Sequence, residues 1–272
     1  MGNKQKKKRN GKDIRNAFVM LCVTVAMMST ATYAWFTMTD SPTVEGLKMT
    51  AASSGGLELS NDGSTWSSAI TVETDSKKLS PVSPMGNTNE FGKPVYSGNS
   101  VNSVEKIADE TELEQNYVAV YKYKIRAVGA TSSSPVKVGL LGGDGSGSNP
   151  TGSFVIRESA KSATQEAAYA IRVGFKIDST WAIYEPNADK TGGGTKAVNG
   201  YTVPTSTVKQ GSGGDFIDST GSGKTSKEMF SLTDTNAHDI TMYVWLEGTD
   251  DQCVNELQTD ELKGQIQFTV VK

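Results

Sequence analysis

The sequence is poor in cysteine, with only Cys22 and Cys253, and it has a single histidine, His238. Small secreted domains that depend on disulfides need several cysteine pairs, so this chain is not of that class. With one histidine, a histidine-based catalytic triad would have only one possible base. A zinc site would have to use carboxylates and Cys253 as its other ligands. We interpret His238 as a surface residue in a polar turn. Cys253 is predicted to be an inert thiol, and its alternative role is to cross-link chains.

Clustered positive charge is absent after residue 34. The first 34 residues hold seven basic residues and one acidic residue, and without them the chain has 20 basic and 29 acidic residues, a net charge of −9. Binding to nucleic-acid phosphates needs grouped lysine and arginine. We therefore expect no nucleic-acid partner, and the acidic composition suits solubility outside the cell.

Long hydrophobic runs are also rare, and the one exception follows the lysine-rich N-terminus. Residues 17–28 are apolar except for Thr24, a run of 12 residues. As a helix this run would be about 18 Å long, against about 30 Å for the hydrocarbon core of a bilayer. Its length is typical of a signal peptide, and the preceding basic residues predict that the N-terminus stays in the cytoplasm while the remainder is exported.

Small residues follow the apolar run and predict a cleavage site. Thr32 and Ala34 occupy the two positions that signal peptidase recognises, so we expect residues 1–34 to be removed and Trp35 to begin a single domain, 35–272. The alternative is an uncleaved membrane anchor. It would extend to Phe36, about 20 residues and about 30 Å, with Tyr33, Trp35 and Phe36 at the membrane interface.

Helical periodicity is scarce downstream, where only residues 103–115 have the composition of a short helix. Alternation of apolar and polar residues with period two is frequent instead. It predicts an all-β fold, an antiparallel β-sandwich of jelly-roll type with long Gly/Ser-rich loops. The predicted strands cover residues 43–51, 57–59, 66–72, 117–128, 136–141, 154–156, 169–177, 181–184, 240–247 and 265–270.

Turn residues predict how these strands connect. Asn61, Asp62 and Gly63 form a strong turn sequence, which predicts a hairpin between the second and third strands. Residues 75–100 contain three prolines and are predicted to form a surface excursion. Residues 142–153 and 187–227 are rich in glycine and serine and are predicted to be loops.

The alternation also predicts which side chains are inside. The strands at 169–177 and 240–247 are each expected to bury one face. The predicted core comprises Tyr169, Ile171, Val173, Phe175, Ile177, Ile240, Val244, Ile266 and Phe268.

Few residues suggest site chemistry. Glu247, Asp250 and Asp251 cluster after a predicted strand, and we interpret them as a solvated turn, with calcium binding as the next alternative and glycoside chemistry as the last. Residues 219–225 resemble a phosphate-binding loop, but Asp218 stands where the motif requires glycine, so a flexible loop is the better interpretation. We predict no catalytic residue and no cofactor.

The end of the leader, YAWFT at residues 33–37, resembles the dedicated signal peptides of TasA and camelysin type surface proteins of Gram-positive bacteria. The blocks YAIRVGF, IYEPN and VWLEGTDDQC are similar to a clostridial branch of such proteins. The resemblance implies a jelly-roll-like sandwich assembled into extracellular fibres or surface layers, and in the camelysin lineage an association with peptidase activity. The sequence has no HExxH motif, and no catalytic residue is transferred.

The predicted function is therefore that of a non-enzymatic structural protein of the cell surface or biofilm matrix. The alternative is a membrane-tethered adhesin or carbohydrate-binding module.

Cleavage would leave Trp35, Phe36 and Met38 at a chain terminus, where large apolar groups need a pocket. They are predicted to form an arm that adds a strand to a neighbouring copy, although the protein's own core is the competing location. Exposed tryptophans among Trp66, Trp181 and Trp245 would favour glycan binding instead.

Overall fold

The computed structural model divides the chain into two compact units, Met1–Asp40 and Ser41–Lys272. It describes residues 20, 47–53, 56–72, 79–86, 89–97, 100–142, 152–157, 167–178, 180–185, 208–210, 228–250, 253 and 262–271. Met20, which is helical and exposed, is the described residue of the first unit. The predicted cleavage site at Thr32, Ala34 and Trp35, the arm residues Phe36 and Met38, and the apolar leader helix therefore lie outside the described residues. Within the described ranges, no helix has the length and apolar character needed to cross a membrane.

The described residues of the second unit lie mostly in strands, which confirms the all-β prediction. Its described helices are α1 (Glu110–Asn116) and α2 (Ala167–Ala170). The strands are β1 (Leu47–Ser53), β2 (Leu57–Ser60), β3 (Ala69–Val72), β4 (Pro81–Pro84), β5 (Phe91–Ser97), β6 (Ser100–Lys106), β7 (Val118–Ala127), β8 (Val136–Leu140), β9 (Phe154–Arg157), β10 (Ile171–Ile177), β11 (Thr180–Glu185), β12 (Val208–Gln210), β13 (Phe230–Leu232), β14 (His238–Glu247) and β15 (Leu262–Val270).

The strands form two sheets. The first has the order β13-β8-β15-β1-β3, and β9 also pairs with β15. The second has the order β12-β11-β10-β14-β4-β5-β6, and β7 pairs with both β14 and β2. Most pairs are antiparallel as predicted, but β1 with β15, β4 with β14 and β11 with β12 are parallel. No hairpin joins the strands of the β1–β15 and β4–β14 pairs, so chain connectivity does not impose an antiparallel direction on them.

The two sheets share one hydrophobic core. Phe268 of the first sheet packs edge-on against Phe175 of the second, with ring centroids 5.5 Å apart. Eight of the nine predicted core residues lie in this core: Ile171, Val173, Phe175, Ile177, Ile240, Val244, Ile266 and Phe268. The exception is Tyr169, which is half-buried in α2.

A second hydrophobic cluster covers the other face of the second sheet. Side chains alternate between the two faces of a strand, so Tyr243 and Trp245 point away from the shared core that Met242 and Val244 enter. The prediction of one buried face for β10 and β14 is therefore wrong. We call this set the outer cluster: Val82, Phe91, Ile107, Leu113, Val118, Trp181, Ile183, Tyr243 and Trp245.

Segments that were predicted to be surface loops form much of the layer over this face of the second sheet. Residues 75–100 were predicted to form an excursion, but they contain β4 and β5 and bury Val82 and Phe91. Pro81 and Pro84 are tolerated because they occupy the two ends of β4, where a missing N–H costs little. The helix prediction was partly wrong as well. Ser103 belongs to β6, and α1 starts after Asp109, whose carboxylate accepts the backbone N–H of Thr111 at 2.8 Å.

The predicted hairpin between β2 and β3 is also wrong. The turn forms as expected, because Asp62 accepts the backbone N–H groups of Ser64 and Thr65 at 2.8 Å each. Past a single bridge between Leu59 and Ser67 the strands diverge. Strand β2 pairs with β7 in the second sheet and β3 pairs with β1 in the first, so this turn carries the chain from one sheet to the other.

Candidate functional site: a buried charge cluster

Four ionisable side chains meet beside the outer cluster, where β10 begins and where β11 and β14 end. Arg172 comes from β10, Glu185 is the last residue of β11, Glu247 is the last residue of β14, and Asp250 lies in the turn that follows. Their relative exposures are 0%, 1%, 0% and 4%. Charged residues are almost never buried to this degree unless they are paired. We call these four residues the charge cluster.

Strand register brings the members together. Arg172 lies opposite Trp245 in the β10–β14 pair, on the face that carries the outer cluster. Val173 lies opposite Tyr184, so the next position along places Arg172 beside Glu185. Gly174 makes room for this face, because a Cβ atom there would lie 2.6 Å from Cη2 of Trp181. Neighbouring Trp181 and Trp245 stack with ring centroids 6.4 Å apart.

The Arg172 guanidinium is the centre of the cluster. Its Nη2 lies 2.5 Å from Oδ2 of Asp250 and 2.8 Å from Oε1 of Glu185. Its Nη1 donates to the backbone carbonyls of Ile171 at 3.0 Å and Tyr169 at 3.4 Å. Arg172 therefore ties β10 to β11, to the turn after β14 and to α2.

The Glu247 carboxylate accepts hydrogen bonds from three neighbouring side chains and one backbone group. Oε1 accepts the N–H of Thr249 at 3.1 Å, the hydroxyl of Thr249 at 2.8 Å and the hydroxyl of Ser83. Oε2 accepts the indole N–H of Trp245 at 3.0 Å. Ser83 belongs to β4, so Glu247 fastens the start of the β4–β5–β6 layer to the end of β14.

Negative charge exceeds positive charge in this buried region. Burial alone would lower the pKa of Arg172, but Glu185, Asp250 and Glu247 outweigh it and the net shift is upward. Burial raises the pKa of Glu185, and Arg172 offsets that rise only in part. Cys253 lies close enough for the same charges to act on it, and loss of hydration raises the pKa of its thiol. The thiol is thus protonated at neutral pH and a poor nucleophile.

The described residues place Cys253 and His238 far apart. His238 begins β14 and Glu247 ends it, so nine residue steps of about 3.4 Å separate the two ends by about 30 Å. The Nε2 of His238 lies 3.1 Å from Oδ1 of Asp234 and its Nδ1 lies 3.8 Å from Oδ2 of Asp178, an arrangement that orients a partly exposed ring. A thiol–imidazole pair for nucleophilic catalysis is therefore not formed.

The structure corrects the interpretation of the acidic turn. Glu247 and Asp250 were predicted to be solvated, but they are buried and surround an arginine. Asp251 lies outside the described residues. Across the described ranges, no group of three histidine, cysteine, aspartate or glutamate side chains is suited to hold a metal ion. The segment 219–225 also lies outside the described part of the chain.

The sequence analysis missed Arg172 and Glu185, although a signal was present. Each follows or lies among apolar and glycine residues, Arg172 within YAIRVGF and Glu185 at the end of IYE. Arg172 also shares a face with Gly174, whose lack of a side chain indicates close approach of neighbouring groups. Comparison with protein-family models, curated proteins and solved structures finds no match for this chain.

Replacement of Glu185 by glutamine should stabilise the protein at pH 8 by about 1 kcal/mol, with a smaller gain near pH 4.5. The raised pKa of Glu185 means that its contribution to stability is present below its unfolded pKa and is lost as pH rises through its folded pKa. Glutamine keeps the shape and removes the excess charge. Urea unfolding at both pH values measures the difference.

The matched control for this substitution is Glu58→Gln. Glu58 is about one-third exposed and pairs with Arg126 at 2.6 Å, so its replacement should change stability by less than about 1 kcal/mol at both pH values. A Glu185→Gln protein that is less stable than the wild type at pH 8 would contradict the prediction, because it would mean that the ionised carboxylate stabilises the fold.

Proposed function

We propose that this protein is a non-enzymatic structural protein that is exported to the cell surface or biofilm matrix and assembles with copies of itself. The observation that carries the proposal is that the reactive side chains of the described core contact one another and not an open site. Arg172, Glu185 and Asp250 are buried around each other, and Trp245 donates to Glu247 inside the fold. Such contacts join strands to one another, which supports a structural role for these side chains.

The finer fold assignment belongs to the same proposal. Two sheets around a shared core suit a jelly-roll-like sandwich, the fold implied by the resemblance of the leader. Export would use the leader at residues 1–34, with signal peptidase cutting before Trp35. The membrane would then be contacted only through the N-terminal segment. If cleavage fails, the protein would stay anchored to the outer face of the cytoplasmic membrane.

Self-association would use the arm that carries Trp35, Phe36 and Met38. Its position just before β1 supports this, because β1 is an interior strand that pairs with β15 on one side and β3 on the other. The β3 strand, with sequence AITV, pairs with no other described strand and contains no charge and no proline, the features that usually block edge pairing. An arm that pairs with such an edge on the next copy makes a head-to-tail contact, and contacts of that kind form filaments.

The test compares purified residues 35–272 with residues 43–272 at equal concentration by electron microscopy. Both forms retain every described strand, because β1 begins at Leu47. Filaments are expected from the longer form only. A third form, 35–272 with Trp35→Ser and Phe36→Ser, keeps the length of the arm and removes its large apolar groups, and it should not form filaments.

Monomeric products of equal stability from the two lengths would reject the arm.

The alternative function, a tethered adhesin or carbohydrate-binding module, is favoured by one residue, Trp66, which is half-buried with the Arg126 guanidinium 4.1 Å from its ring centroid. Trp181 and Trp245 are buried, so their replacement would measure stability and not binding. Glycan-array binding that Trp66→Ala abolishes would reverse the order of the two proposals.

A further inference from the structure

A lysine, an asparagine and a tyrosine from three parts of the chain meet beside the outer cluster. Lys176 lies on β10, Asn89 lies between β4 and β5, and Tyr243 lies on β14. The Nζ of Lys176 donates a hydrogen bond to Oδ1 of Asn89 at 3.4 Å. Asn89 also lies close enough to Tyr243 to influence the pKa of its hydroxyl group, which burial raises. The amide group of Asn89 therefore lies beside both an amine and a phenol.

The contact with Lys176 sets the orientation of the Asn89 amide, because its carbonyl oxygen accepts from Nζ. The amide nitrogen Nδ2, the only side-chain donor of asparagine, is then the group available to the hydroxyl of Tyr243. Burial, the largest influence, raises the pKa of Tyr243, and Asn89 acts to lower it.

Aromatic side chains lie beside this group. Lys176 lies opposite Trp181 in the β10–β11 pair. Phe91, two residues after Asn89, has its ring centroid 6.1 Å from that of Tyr243 and 6.5 Å from that of Trp181. Lys176 and Asn89 themselves are half-buried.

We propose that Lys176 and Asn89 join in an intramolecular isopeptide bond. The lone pair of Nζ attacks Cγ of Asn89, and the carbonyl electrons move to Oδ1. Collapse of this intermediate restores the carbonyl and breaks the bond between Cγ and Nδ2. The hydroxyl of Tyr243 gives a proton to the departing Nδ2 and regains one from Nζ. The amine reacts in its neutral form, so the products are one new amide and one molecule of ammonia; atoms and charge balance, and no oxidant or other reactant is needed.

The bond would link the turn between β4 and β5 to β10, and so attach the layer over the outer cluster to the centre of the second sheet. Removal of residues 1–34 leaves Cys253 as the only cysteine, so the mature chain cannot form an intrachain disulfide. An isopeptide bond is a covalent cross-link that this composition allows. The inference does not depend on filament formation.

Mass spectrometry of the purified, folded full chain tests the bond. The wild-type protein should be lighter than its sequence by one molecule of ammonia, and a protease digest should contain a branched peptide that joins Lys176 to Asn89. Lys176→Arg retains a positive charge and a hydrogen-bond donor at this position but lacks the amine, so it should keep its full mass. Tyr243→Phe should form the bond more slowly.

Two results would overturn the inference. The first is a wild-type protein that keeps its full mass and yields no branched peptide after prolonged incubation at neutral pH. The second is loss of ammonia from Lys176→Arg to the same extent as from wild type, which would assign the mass change to cyclisation of Asn89 with its own backbone. The branched peptide from the wild type decides the question even if a variant fails to fold.

Discussion

Replacement of Arg172 by methionine should lower the free energy of unfolding by about 3 to 5 kcal/mol, because it leaves buried carboxylates without their cation. Glu185 and Asp250 lie 2.8 Å and 2.5 Å from the guanidinium, and all three residues are buried. Methionine fills similar space and cannot replace the charge. Urea unfolding at pH 7, followed by circular dichroism, measures the loss.

The matched control is Arg126→Met on the neighbouring strand β7. Arg126 also pairs with a glutamate, Glu58, at 2.6 Å, but both side chains are about one-third exposed. Its loss should cost less than about 1 kcal/mol. A triple variant with Arg172→Met, Glu185→Gln and Asp250→Asn should recover much of the stability, since both carboxylates that pair with Arg172 are then neutral. Equal losses for the two arginine variants would reject the role of the charge cluster.

Truncation of Phe175 to alanine should cost about 3 to 5 kcal/mol. Phe175 is 1% exposed, and its ring meets Phe268 of the opposite sheet at 5.5 Å and 73°. The substitution therefore removes a contact that joins the two sheets and leaves a cavity in the shared core. Urea unfolding at pH 7 measures the change.

Val128→Ala is the control for this truncation. Val128 is 64% exposed in the turn after β7, so its truncation should change stability by no more than about 0.5 kcal/mol. A loss below about 1 kcal/mol for Phe175→Ala would contradict the assignment of β10 to the shared core.

The losses of stability expected for the Arg172 and Phe175 variants report on different contacts of the fold. Phe175 tests the contact between the sheets, and Arg172 tests the contacts that join β10 to β11, to the turn after β14 and to α2. Both matter because the described part of the chain contains no disulfide, and Cys253 is free. Stability then depends on burial of apolar surface on both faces of the second sheet.

Local patterns in the sequence predicted much of the fold. The alternation in residues 117–128 predicted one shared face for Tyr117, Ala119, Tyr121, Tyr123, Ile125 and Ala127. The last five are buried in the shared core, whereas Tyr117 precedes β7 and packs against the outer cluster. The strands β8, β9, β10, β11, β14 and β15 were also predicted, with small differences at their ends. Such predictions succeed because side chains alternate strictly along a strand, so a run of residues specifies its own inner face.

The neighbours of each strand could not be predicted in the same way. Whether β2 pairs with β3 or with β7, and whether β1 runs parallel to β15, depends on segments distant in sequence. The outer cluster depends on β4 and β5, whose prolines made their segment resemble a loop. Single-strand patterns carry no information about such contacts.

By itself the sequence determined an all-β chain with one well-defined inner face, because that choice rests on alternation within each strand. Only the tertiary structure decided that a second apolar layer covers the other face and that Glu247 and Asp250 are buried there. A carboxylate at the end of a strand is normally solvated. Glu247 and Asp250 are buried for two reasons. Strand register places Arg172 between them and Glu185, and the strands within residues 81–106 cover this face of the sheet. Both conditions depend on residues far apart in the chain.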